Sequence, residues 1–146
     1  MSSNDNDPYL DGQIDDNPIV SLASITCEIV AVLDLELRER GLKVMNTMSR
    51  SFRRYDIGEF VLTKEEVTLG EAVNKVSYIG FAQAQNSGQM TVGQSVLLDG
   101  ASIGEVAGFD RTHAPNHYNV IISTQDPQTG KQLGVSVGDD LTLEGY

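Results

Sequence analysis

Asp110, Arg111, Thr112, His113, Asn116, His117 and Asn119 fall within ten consecutive positions, and both histidines of the chain are among them. Imidazole changes charge near neutral pH and ligates metals through either ring nitrogen. Carboxylate, guanidinium and amide groups beside it could hold a ligand, share a proton or complete a coordination shell. Loops dense in such groups, lying between strands, are where binding sites tend to sit.

Three readings of this cluster stand side by side. In the plainest, the groups satisfy one another and the loop backbone, with Asp110 and Asn116 capping turns and Arg111 pairing with nearby acids. In the second, Asp110, Arg111, His113, Asn116, His117 and Asn119 bind a small molecule or a protein partner. In the third, Asp110, His113 and His117 converge on a divalent metal such as zinc or iron. His113 and His117 have the spacing that a helix would place on one face, but Pro115 between them argues against an ordinary helix. His113 is therefore expected on the loop, with His117 opening the next strand. There His117 and Asn119 share one face, and Tyr118, Val120 and Ile122 the other. No Gly-x-Ser-x-Gly elbow, Walker loop or dinucleotide fingerprint is present, so no catalytic residue is assigned.

The elements that would position this loop are strands. Val76 to Ala84 reads as a strand, followed by a turn at Asn86 and Gly88. Asp99 and Gly100 mark a tight hairpin between residues 95–98 and 102–109. Asp126, Pro127 and Gly130 read as another turn, joining residues 117–124 to a strand over 132–137. Upstream, Ile25, Cys27, Ile29, Ala31, Leu33, Leu35 and Leu37 alternate with period two, as in a strand with one buried face. A helical reading through Leu22, Ile25, Ile29, Leu33 and Leu37 competes, and the β-branched content favours the strand. Gly41 then offers a turn and the alternation restarts at Leu42, which predicts a long N-terminal hairpin. Thr63 with Glu66 and Thr68 with Glu71 have capping-box spacing, so one short helix is expected within 64–74.

An apolar residue, a glycine, a polar residue and a strand recur at Ile57-Gly58, Val92-Gly93 and Val137-Gly138. We read this as a turn that delivers the chain onto a barrel wall while the apolar residue plugs the barrel end. The expected fold is all-β and mainly antiparallel, a small barrel or sandwich over residues 19–146, behind a disordered acidic tail over 1–18.

Twenty-one acidic and ten basic residues give a formal net charge of −11. A field of that sign repels phosphate backbones, so nucleic acid is not an expected partner. Six of the basic residues, Arg38, Arg40, Lys43, Arg50, Arg53 and Arg54, are gathered in one segment, read as a solvated basic face onto which the tail could fold. Cys27 is the only cysteine, which precludes an internal disulfide and suits a cytoplasmic location. Its apolar setting predicts a buried, inert thiol. Residues 20–33 are too short and too polar to span a bilayer, so no membrane association is expected.

Residues 91–146, above all Ile103-Gly-Glu-Val-Ala-Gly-Phe-Asp and Thr-His-Ala-Pro-Asn-His-Tyr-Asn119, resemble an uncharacterised family of small bacterial β-rich domains, a resemblance that brings no activity with it. Short strand segments, Ile57-Gly-Glu-Phe-Val-Leu-Thr-Lys and Gly104-Glu-Val-Ala-Gly-Phe, are similar to β-rich parts of glycine- and proline-reductase-type proprotein subunits. Those mature by cleavage at an internal cysteine, and the surroundings of Cys27 do not match. The sequence thus points to a ligand- or partner-binding assembly module, homo-oligomeric because a long hairpin leaves edges for a neighbour to cover. The alternative is an enzyme or enzyme subunit that uses the loop from 110 to 117 to bind a metal or a small anionic substrate.

Overall fold

Period-two alternation over residues 25–37 does produce a strand, β1 (Ile25–Leu37). The computed structural model describes residues 18–110 and 117–146. After β1 come β2 (Leu42–Lys43), β3 (Ser49–Phe52), β4 (Ile57–Thr63), β5 (Ala72–Val73), β6 (Val76–Ala84) and β7 (Gly88–Thr91). These are followed by β8 (Ser95–Leu98), β9 (Ala101–Asp110), β10 (Tyr118–Ser123), a one-turn helix α1 (Gly130–Leu133) and β11 (Asp140–Leu143).

Seven strands close into a barrel in the order β1, β11, β8, β9, β10, β4, β6. Every neighbouring pair is antiparallel except β10 with β4. The all-β, mainly antiparallel barrel expected from the sequence is the observed architecture. Inward-facing residues such as Ile25, Ile29, Phe60, Leu62, Val120 and Ile122 fill the interior. Cys27 is buried among them, and burial pushes its thiol pKa up to about 12. At the expected hairpin, Asp99 and Gly100 both take positive φ (48° and 85°), the left-handed pair that lets β8 turn directly into β9.

Several expectations are corrected. The long N-terminal hairpin does not form: β1 pairs with β11 on one side and β6 on the other, while β2 pairs with β5. The β11 pairing covers Ile25 to Glu28, so part of the edge that the hairpin would have offered to a neighbour is occupied within the chain. No helix forms within 64–74. The Thr63 hydroxyl donates to the Lys75 carbonyl (2.8 Å), and the Glu65 carboxylate accepts from the amides of Asn74 and Lys75 (3.1 and 2.8 Å). Those side chains pin a turn. The helix lies where a hairpin and a strand were expected, with Thr129 as N-cap and Gln132 completing the capping box. Among the repeated glycines, Gly93 and Gly138 have positive φ, but Gly58 sits inside β4 without it. Val92 packs on the core, whereas Ile57 and Val137 are exposed, so the repeat is not a set of barrel plugs.

A second apolar cluster lies outside the barrel. Val61, Tyr78 and Ile121, from the outer face of β4, β6 and β10, pack against Leu42, Val44 and Val73 from β2, β5 and the residue after β2. β2, β5 and the residues beside them thus form a small cap over one side of the barrel. Among the described residues, no helix is long and apolar enough to cross a membrane.

Candidate functional site

The alternation of β10 decides which side chains can meet. Tyr118, Val120 and Ile122 join the barrel core, and Asn119 and Ile121 face the cap. Asn119 lies opposite Asp110 across β9 and opposite Glu59 across the parallel pairing with β4. Glu59 in turn pairs with Phe81 on β6. Asp110, Asn119 and Glu59 thereby form a polar row across three adjacent strands, on the face that the cap covers. Asp110 and Asn119 are each only 1% exposed.

Both carboxylate oxygens of Asp110 are engaged. Oδ1 accepts from the backbone N–H of Lys43 at 2.7 Å, and Oδ2 from the Asn119 side-chain amide at 2.9 Å. The first bond, with the bridge between Val44 and Asp110 and the bond from the Met45 amide to the Phe109 carbonyl (2.7 Å), ties the cap to the end of β9. Because an ionised carboxylate only accepts, the Asn119 amide must turn its NH₂ toward Asp110. Its carbonyl Oδ1 is then buried with no hydrogen-bond donor among the described residues.

His117 immediately precedes β10. Its Nε2 is 3.5 Å from Oε1 of Glu59, and its ring stands edge-on to Phe81, with centroids 5.2 Å apart. Tyr78 lies on the same face, and its hydroxyl accepts from Nε of Arg40 at 2.7 Å. Burial raises the Tyr78 pKa above its ordinary value. The Arg40 hydrogen bond and charge oppose that shift, and the negative charges of Glu59 and Asp110 add to it.

His117 and Asn119, expected on one face of their strand, lie on the side where the fold also places Asp110 and Glu59. Arg111, His113 and Asn116 lie outside the described residues, as does the tail over 1–17, so the three-residue metal set is represented here by Asp110 and His117 alone. Among the described residues, no three His, Cys, Asp or Glu side chains are grouped closely enough to hold a metal ion. Sequence reasoning missed Glu59, Tyr78 and Arg40. Alternation with Phe60 and Leu62 puts Glu59 on the outer face of β4, but Tyr78 has the parity of the core residues Ala82 and Ala84 and reaches the outer face only through the register shift beside Gly80. The basic segment is likewise not a plain solvated face, because Arg40 bonds Tyr78 and the Arg50 guanidinium stacks over the Tyr118 ring at 4.2 Å.

Fold and site together define a closed seven-stranded mixed barrel whose polar row lies beneath a small cap. The chain belongs to a family of unknown function (DUF6917), whose model matches residues 20–144. No curated protein and no solved structure matches it.

Proposed function

We propose that the domain is a ligand-binding module and that its site is the row Asp110, Asn119 and Glu59 with His117 beside it. The observation that carries this reading is the buried Asn119 carbonyl oxygen, which has no donor among the described residues while its amide is committed to Asp110. Leaving a buried acceptor unmet costs about 1–3 kcal/mol, so a native fold that keeps one invites a ligand to supply the donor. The neighbouring groups set the ligand's character. Glu59 and Asp110 are carboxylates, and among the described residues Arg40 brings one positive charge near them. An acceptor-rich, negative row favours a small molecule with a protonated amine over the small anion considered from the sequence. Phe81 supplies an apolar wall for its carbon skeleton.

The test is a thermal-shift series on the full chain with primary alkylamines, with tetramethylammonium as a cation that has no N–H to donate. Primary amines should raise the melting temperature saturably and the quaternary ion should not. Glu59→Gln should weaken the effect at least fivefold. Equal stabilisation by both cations, or none by any amine, would contradict the reading. Saturable binding of zinc or manganese in place of amines would favour the metal reading through Asp110, His113 and His117. An assembly role in a homo-oligomer belongs to the same proposal.

A further inference from the structure

A cavity of about 330 Å³ opens where the end of β1, the start of β6 and the residues after β4 meet. It shares no residue with the polar row. Arg38, Lys64 and Lys75 line it together with Glu36 and Glu65, and Leu37, Val76 and Pro127 give it apolar walls. In a chain of net charge −11, three basic side chains on one cavity are a local reversal of sign. None of the three makes an ion pair among the described residues, where Arg53 and Lys131 do. Glu65 is present, but both its oxygens are held by backbone amides, those of Asn74 and Lys75. That binding fixes the carboxylate on the rim of its own turn and spreads its charge over the peptide dipoles. Ser77, 2% exposed, adds a hydroxyl to the lining.

We infer that this cavity binds a small organic oxyanion, a carboxylate or phosphate head held by Arg38, Lys64 and Lys75 with its carbon skeleton against Leu37, Val76 and Pro127. The volume is at the lower end of the range for small-molecule sites, which typically run from about 300 to 1,000 Å³ and combine apolar walls with a few polar groups. Arg38 offers a planar fork that matches an oxyanion in two bonds, and the lysines add point charge. With two carboxylates nearby, the local excess is a single positive charge, which suits a monoanion better than a polyanion.

The experiment is calorimetric titration of the full chain with benzoate, phenyl phosphate and, as a neutral isostere, benzyl alcohol. At least one of the two anions should bind saturably at low salt and more weakly at high salt, and the alcohol should bind at least tenfold more weakly. Benzoate binding tighter than phenyl phosphate identifies the head as carboxylate, and the reverse order as phosphate. The double variant R38Q/K75Q should lose at least tenfold in affinity. R53Q, at an exposed arginine paired with Asp56, should leave affinity unchanged. All the substituted side chains are exposed, and a circular-dichroism melt confirms that each variant is folded. Failure of both anions to bind, equal binding of the alcohol, or equal loss in R53Q would overturn the inference. The amine series on the polar row is unaffected by any of these results, so the two sites stand or fall separately.

Discussion

Asp110 holds donors from two segments that are far apart in sequence, the Lys43 amide on the cap and the Asn119 side chain on β10. Asp110→Ala leaves both donors buried without an acceptor, and about 2–4 kcal/mol of stability should be lost, read from the midpoint and slope of a urea transition. Asp110→Asn should be only partly better, because one of its two faces becomes a donor that meets another donor. Cys27 gives a second prediction at this scale. Its thiol is favoured over the thiolate in the fold, so the unfolded chain ionises first as pH rises. The stability this supplies is complete below pH 9, the ordinary thiol value, and is lost progressively toward pH 12. Stability should therefore fall across that window by up to about 1.4 kcal/mol per pH unit, and Cys27→Ala should flatten the slope. Tyr78 steepens the alkaline end in the same sense, since its pKa is also raised. Native protein at pH 8 should react with an aromatic disulfide reagent only on the timescale of unfolding. A fast native reaction would show that Cys27 is not sealed in the core.

The strands were legible from side-chain alternation and flanking turn residues, even where the cap buries the outer face as well, as on β6 and β10. Val76 to Ala84, the Asp99 turn and the two faces of β10 follow from period two and from one turn dipeptide. The pairing of β1 was not legible, because a strand's alternation says which face is buried but not which neighbour it takes. The helix was misplaced for a related reason. Capping-box spacing occurs at Thr63, Thr68, Thr91, Ser102 and Thr129, and local sequence does not rank them. What separates them is tertiary. Thr63 and Glu65 are drawn to the backbone near Lys75, while the Thr129 hydroxyl accepts from Gln132 and also donates to Asp34 at 2.9 Å. Thr129→Ala should therefore cost about 1–2 kcal/mol, and Thr129→Ser should recover most of it, as measured by thermal melting. An unchanged melting point for Thr129→Ala would mean that the single helical turn contributes nothing to the barrel.

The whole molecule closes in two ways. β10 and β4 complete the barrel in parallel, and Leu22 and Tyr146 clasp it by exchanging both backbone hydrogen bonds (2.7 and 2.8 Å). Removing Gly145 and Tyr146 should cost about 1–3 kcal/mol and speed hydrogen exchange in β1 and β11 before other strands. Uniform exchange across the barrel would contradict a local clasp. Closure also bears on assembly. β6 pairs with β1 from Cys27 to Leu37 but β11 only from Ile25 to Glu28, so among the described residues the edge left to the proposed homo-oligomer is confined to the C-terminal part of β1. Sedimentation velocity with and without residues 1–18 would show whether the acidic tail contributes. The central claim, that the row beneath the cap takes a donor-bearing cation, is tested most directly by amide NMR titration of wild type and Asn119→Leu with butylamine. The account predicts saturable shifts clustered at residues 59, 81, 117 and 119 in wild type and their loss in the variant. Shifts that are absent, scattered over the surface, or unchanged in Asn119→Leu would contradict it.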